Sequence, residues 1–267
     1  VLYSADLAIE LERYPLLVVG SGADLTAEHV ARLRDYVSAG GNLLLCGPSA
    51  AFLGLSGVAE LTGLDWQAEG EDWPLAFLDL SAPSWASQWP QAPRAVLPPL
   101  LVPGRPAFAR ARDATVLGTL TAPGALYQMG ARPPGRETDW VGVSRHTLGQ
   151  GQVVVCTLAL GRDYLARGNT LARDLLQVLA RLAFGKPLTV EVSTPAALEV
   201  NLAQGDDVLR IHLIQHGGSW RPGTPYLPDR VVPLHDLCLT LRLPAAPVSI
   251  RRHPGDLALP WGREKDG

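Results

Sequence analysis

The sequence predicts an α/β fold: a doubly wound sheet over residues 1–186, then a small antiparallel β-sandwich over 187–267. Three observations carry that expectation. The stretch from Tyr14 to Gly47 reads as one strand–helix–strand unit. A helical hydrophobic period runs up to Phe184 and stops at Gly185-Lys186-Pro187. Beyond Pro187 the period is that of strands, with turn residues at short intervals.

The elements follow in order. Leu16 to Val19 are an apolar run without alternation, as in a strand covered on both faces. Gly20 to Asp24 turn the chain. Thr26 to Ser38 read as a helix, with Leu25, Val30, Leu33 and Val37 on one stripe and Glu28, Arg32, Arg34 and Asp35 facing water. Gly40 and Gly41 end that helix, and Leu43 to Leu45 form a second buried strand. A strand that returns through a helix to another strand pairs in parallel, with a right-handed crossover. A further helix is expected near Ser56 to Leu61. Residues 67–150 are rich in Pro and Trp and read as an insertion of loops and short strands, at Thr115–Leu120, Ala125–Gln128 and Trp140–His146. Gln152 to Thr157 are a Val-rich strand. Asn169 caps a helix through Phe184, with Leu171, Leu175, Val178, Leu179 and Leu182 on one face.

In the second zone, Val190–Val192, Leu198–Leu202, Val208–Ile214, Cys238–Leu243 and Val248–Arg252 read as strands. In VLRIHLI, Leu209, Ile211 and Leu213 alternate with Arg210 and His212, the pattern of a half-buried strand. So small a sandwich has little core of its own and is expected to lean on the first domain.

Composition removes several classes of function. Apolar residues make up 47% and charged residues 18%, so the chain can bury a sizeable core and is not a disordered one. The net charge is −3, with no long run of either sign, which argues against a nucleic-acid partner. No apolar run approaches the ~18 residues of a membrane helix, and the start VLYSADLAIE lacks the parts of a signal peptide. Cys46, Cys156 and Cys238 are too few and too scattered for a disulfide framework or a zinc knuckle. A cytoplasmic protein with buried thiols is the expectation. The first residue is Val, which suggests a processed or excised piece.

Chemistry would be expected where the parallel strands end, at Gly20–Asp24 and Cys46–Ser49. Cys46 ends a buried strand and precedes a turn, where a nucleophile could stand. An exposed elbow needs small neighbours, yet Leu44 and Pro48 flank it. A base is not evident either, since His146 is followed by Thr147 and Leu148. A buried structural thiol is the alternative. Gly20-Ser21-Gly22 could cradle a phosphate or form a plain turn. Asp24 and Glu28 could pair, or simply suit a helix N-terminus, and His29 falls on the solvent side. His212 and His216 share one strand face, with His235 as a third metal ligand, or they form a polar face. Trp66, Trp73, Trp85, Trp89 and Trp140 could stack on sugars or pack a core or interface. From these alternatives we assign no catalytic, cofactor-binding or metal residue and expect no cofactor.

Taken together, YPLLVVGSGADLT, LRDYVSAGGNLLL, LGQGQVVVCTLALGRDYLARGN, a helix ending near Pro187 and LRIHLIQHGG occur in an order that resembles a known one. It is similar to the non-catalytic C-terminal half of bacterial glycoside hydrolases, where a flavodoxin-like, class I amidotransferase-like domain follows a catalytic barrel. The beta-galactosidase trimerisation domain is the best-known member, and a small β-sandwich closes the chain. The resemblance spans Asp6 to about His253 and is clearest at Tyr14–Leu45 and Leu148–Asn169. The family's first strand and helix, and its barrel with two carboxylates, have no counterpart in these 267 residues. The resemblance therefore implies an accessory module that assembles subunits or packs on a glycosidase barrel. The rivals are an amidotransferase-like hydrolase using Cys46 and a carbohydrate-binding module using the tryptophans. The partner expected is a second copy or a barrel domain, or else a carbohydrate; the surface expected is the 67–150 zone around Trp85 and Trp89.

Overall fold

The computed structural model describes residues 11–48, 50–67, 73–80, 100–125, 133–193, 198–205, 207–215 and 233–263. Two compact units meet at Lys186-Pro187 along the chain.

The first unit opens as its sequence dictates. Strand β1 (Leu16–Val19) leads through helix α1 (Ala27–Ser38) to strand β2 (Asn42–Cys46), and the two strands pair in parallel, Leu16 opposite Asn42. Thr26 caps α1 by accepting from the His29 N–H, and the His29 ring nitrogen accepts in return from the Thr26 N–H. This reciprocal pair satisfies two donors that a helix end leaves orphaned. Val30, Leu33, Tyr36 and Val37 form the buried stripe of α1. β2 is buried along Leu43–Cys46, whereas Val18 on β1 is 56% exposed, so the first strand is an edge and not a doubly covered one. Two short helices follow, α2 (Ala50–Leu53) and α3 (Val58–Thr62).

The expected doubly wound, flavodoxin-like and amidotransferase-like sheet is not what forms. The strands that follow are β3 (Leu64–Trp66), β4 (Leu75–Asp79), β5 (Leu100–Pro103), β6 (Ala109–Ala111), β7 (Thr115–Pro123), β8 (Pro134–Leu148) and β9 (Gly151–Cys156). Seven strands make one sheet in the order β1-β2-β9-β8-β7-β4-β5, while β3 and β6 make a separate ribbon. Only β1, β2 and β9 run parallel; every other neighbour is antiparallel. The fold is mostly β, and this mixed sheet curls as a half-barrel. The physical reason lies at β9. A doubly wound sheet reaches each new strand by a helical crossover, but β9 is reached from β8 by a hairpin through Gly149-Gln150. The Pro/Trp-rich zone is therefore not an insertion beside the sheet; it supplies four of its strands. Register shifts along β7 and β8 supply the bending that a curled sheet needs.

Helices α4 (Leu160–Arg167) and α5 (Thr170–Phe184) complete the unit. Asn169 caps α5 by accepting from Ala172 N–H, as expected. Two cores result. Leu43, Leu45, Val153 and Val155 face α1 and α3, while Leu44, Cys46, Val154 and Cys156 face the opposite way with Leu160, Leu175 and Leu179.

The second unit departs from the expected sandwich. Its strands form three separate antiparallel ribbons among the described residues: β10 (Val190–Ser193) with β13 (Cys238–Leu241), β11 (Leu198–Gly205) with β12 (Val208–Gln215), and β14 (Arg251–Arg252) with β15 (Leu257–Ala258). Alternation in a strand reports one apolar face, not the sheet that covers it. The β11–β12 ribbon has such a face, Leu198, Val200 and Leu202 beside Leu213, Ile211 and Leu209, with Leu202 47% exposed. No helix among the described residues is long and apolar enough to cross a membrane.

One contact sets how the sheet meets α1. The β8–β9 turn lies on the end of α1, with Gln150 N–H donating to Ser38 O at 3.1 Å. A Cβ on Gly151 would sit 2.0 Å from Gly41 O and 2.4 Å from Val37 O, backbone atoms that cannot swing aside. Gly151→Ala is therefore expected to lower the unfolding free energy in urea by at least the ~1–3 kcal/mol usual for overpacking. Gly161→Ala, on a helix position where a Cβ meets nothing within 4 Å, should be neutral or stabilising.

Tyr36 braces the same corner. Its hydroxyl donates to Tyr14 O at 2.7 Å and accepts from Asn42 N–H at 3.2 Å, and burial pushes the phenol above its ordinary value. The unfolded phenol ionises near pH ~10 while the folded one keeps its proton, so unfolding releases a proton in that window. Stability should thus fall as pH rises past about 10, and Tyr36→Phe should flatten that fall in urea titrations at neutral and alkaline pH.

Candidate functional site

The C-terminal ends of β1, β2 and β9 form one edge, and a small hollow of about 180 Å³ opens there. Ser21 comes from the turn after β1, Gly47 and Pro48 follow β2, and Thr157 follows β9. Arg105 and Arg162, with Ala107 and Ala159, complete its wall. Arg162 forms no ion pair among the described residues. Thr157 is fully engaged: its hydroxyl donates to Val141 O at 2.9 Å, and its carbonyl accepts from Ala107 N–H at 3.0 Å. Gly47 has φ +63°, and a Cβ there would meet the Ala159 backbone at 2.5 Å. The loops after β2 and β9 are thus locked face to face, with Gly47 N–H donating to Cys156 O at 2.8 Å.

Beneath that loop contact lie two thiols. Cys46 and Cys156 are direct partners in the β2–β9 ladder and belong to the same core, 5% and 0% exposed. The Cys156 thiol stands opposite Cys46 in the ladder, and the backbone of Leu160 and Gly161 at the start of α4 also acts on the Cys46 sulfur. Donors that converge on sulfur favour its thiolate. The Cys156 thiol is the largest cause, and it pulls Cys46 below its ordinary value against the opposing effect of burial. The same pairing, with burial, pushes Cys156 well up. In its protonated form Cys46 donates to Leu158 O at 3.4 Å.

An acyl-transfer site does not assemble around Cys46. The only non-glycine residues with positive φ among those described are Asp236 and Asp256, so Cys46 does not sit on a strained elbow. His146 pairs with Val153 on the α1 side of the sheet, with its ring against Gly63, while Cys46 faces the other way. Sheet thickness separates this histidine from the thiol.

The other candidates resolve one by one. Ala23 N–H donates to Gly20 O at 3.2 Å, closing a turn, and a Cβ on Gly20 or Gly22 would meet nothing within 4 Å. The N-terminus of α1 is already occupied by Thr26 and His29, so the solvent-side histidine is a capping residue. Glu28 pairs with Arg32 at 2.9 Å rather than with Asp24. His212 and His235 are exposed, His216 lies outside the described residues, and no group of three metal-ligating side chains occurs among the described residues. Trp85 and Trp89 also lie outside them. Trp73 is buried against Phe108, the Trp66 indole N–H donates to Thr62, and Arg110 covers a face of Trp140 at 4.5 Å. These three indoles are spent on packing, and so offer no sugar platform.

Sequence reasoning named Cys46 but not Cys156 as its partner. The signal was there: both end apolar triplets, LLLC and VVVC. It also passed over Asp163, the one buried carboxylate among the described residues. Asp163 accepts from Asn169 Nδ2 at 2.6 Å and pairs with Arg167 at 3.0 Å, tying α4 to the cap of α5. Asp163→Ala should cost about 1–3 kcal/mol in urea unfolding, because buried donors lose their acceptor. Arg167→Ala should cost less, since its side chain is 55% exposed.

No protein-family model and no curated protein matches the sequence. Among solved structures the chain is similar to alpha-L-fucosidase isoenzyme 2 from Paenibacillus thiaminolyticus, with TM-score 0.74 and 15% identity over 97% of this chain and 39% of that one. It is also similar to Gan42B, a GH42 beta-galactosidase from G. stearothermophilus, with TM-score 0.50 and 16% identity over 78% of this chain and 27% of that one. This chain therefore spans well under half the length of either enzyme. At such identities the likeness is one of fold: the chain is folded like a region of glycoside hydrolases.

Proposed function

We propose that this chain is a non-catalytic accessory module of a glycoside hydrolase system, which assembles by self-association or by packing on a glycosidase barrel. One observation carries the reading: nearly the whole chain, 97%, superposes on only 39% of a fucosidase, so it corresponds to a part of such an enzyme rather than to all of it. The site geometry supports it. Glycoside hydrolysis uses two carboxylates facing one sugar, and the one buried acid described, Asp163, is spent on Arg167 and Asn169. The described thiol and imidazole lie on opposite sheet faces. The described tryptophans of the first unit are packed rather than presented, which favours assembly over sugar binding.

Analytical ultracentrifugation over a wide concentration range tests this, alone and with any glycosidase domain encoded beside it. A dimer or trimer, or a monomer that co-sediments with the barrel, is the expected result. A monomer at every concentration that ignores the barrel, yet shifts on soluble oligosaccharide in affinity electrophoresis, would overturn the assembly reading.

A further inference from the structure

We propose that Cys46 and Cys156 are a redox-active dithiol, which a hydroperoxide closes to a reversible disulfide between β2 and β9. The proposal is independent of the assembly role.

Geometry comes first. The two residues are register partners on adjacent strands, with side chains on one face. Neighbouring strands lie about 4.7–4.9 Å apart, inside the roughly 4.4–6.8 Å between Cα atoms that a disulfide spans. Closure therefore needs rotation of two side chains and no shift of strands. The direct cross-strand pairing brings together residues far apart in sequence, so it is a product of the fold and not of local chain proximity.

Chemistry assigns the roles. The thiolate is the nucleophile, and the Cys156 thiol, in register opposite Cys46, pulls the Cys46 thiol below its ordinary value against the opposing effect of burial. Cys156 is fully buried and held protonated. Cys46 is thus the attacking thiol and Cys156 the resolving one. The residues that follow them, Gly47 and Thr157, both line the hollow, which therefore opens one residue beyond the pair along each strand.

The steps balance. The Cys46 thiolate attacks one oxygen of hydrogen peroxide; an S–O bond forms, the O–O bond breaks, and the leaving hydroxide takes a proton to become water. Sulfur loses two electrons and the peroxide gains them. The Cys156 sulfur then attacks the Cys46 sulfenic acid; an S–S bond forms, the S–O bond breaks, and the hydroxide leaves with the Cys156 proton as a second water. A dithiol reductant reverses the result.

Burial selects the reagent rather than forbidding the reaction. Alkylation must lodge a new group in a packed core, whereas disulfide closure only removes two hydrogens. Iodoacetamide should therefore label exposed Cys238 and leave both core thiols alone in the native chain.

The experiment uses the full chain. It is treated with hydrogen peroxide, quenched, alkylated in denaturant and digested without reductant for peptide mapping. Most molecules should yield a Cys46–Cys156 cross-linked peptide that dithiothreitol abolishes. In Cys156→Ser, dimedone should trap a sulfenic acid on Cys46; in Cys46→Ser, Cys156 should stay a thiol. Recovery of both core cysteines as free thiols in the wild type, or disulfides through Cys238 alone, overturns the proposal. Should either variant fail to fold, the wild-type map decides by itself.

Discussion

The pairing of β2 with β9 is what the first unit depends on. β9 is parallel to β2 on one side and antiparallel to β8 on the other, so it is the seam between two kinds of sheet. Both strands are buried on both faces, with α1 and α3 against Leu43, Leu45, Val153 and Val155 and α5 against Leu44 and Val154. A slip of one residue along this ladder would exchange the two cores, each already filled to its own shape. The seam is held at its two ends by glycines. Gly41 and Gly151 let strand starts approach α1 where no Cβ fits, and Gly47 lets the loop after β2 close on Ala159.

That seam also explains which parts of the fold were legible. α1, β2, β9 and α5 announce themselves because burial gives each a single period, helical for Val30, Leu33 and Val37 and continuous for Leu43–Leu45 and Val153–Val155. β8 gives none. Its inner half, Val141–Ser144, is buried, while Arg136 and Glu137 in its outer half are exposed, so one strand carries two patterns. Proline and tryptophan around it then suggest a loop-rich excursion. Yet Gly149-Gln150 between two strand segments was a hairpin signal, and a hairpin at that point is incompatible with a doubly wound sheet. Weighing that turn against the strand–helix–strand start would have favoured a mixed sheet. In the second unit, alternation along Val208–Gln215 revealed the apolar face of β12, but a face carries no information on what lies over it.

The site was half legible for a related reason. Strand ends point to where loops converge, and Cys46 stands there as read. What surrounds it comes from far along the chain: Cys156 from β9, and Leu160 and Gly161 from the start of α4. None of these is spaced in sequence by its role. His146 shows the same dependence on pairing. Its neighbours Thr147 and Leu148 gave no base motif, and strand parity puts it on the far face of the sheet. Parity along a strand whose register is unknown cannot be read from composition, and it decides which side chains can meet.

The two thiols make the consequence of that parity concrete. A lone cysteine in the core is a small apolar residue, and either LLLC or VVVC alone would be no more than that. Placed opposite each other, the two thiols push each other's protonation apart, Cys46 downward and Cys156 upward. The polarity of Cys46 is thus a property of the ladder rather than of the residue. The contact that seals the edge of the sheet, Gly47 on Ala159, closes the loop directly after that sulfur, and the hollow opens beside that loop. An edge built this way suits a thiol that answers to small oxidants, and it is poorly suited to one that must receive an acyl substrate.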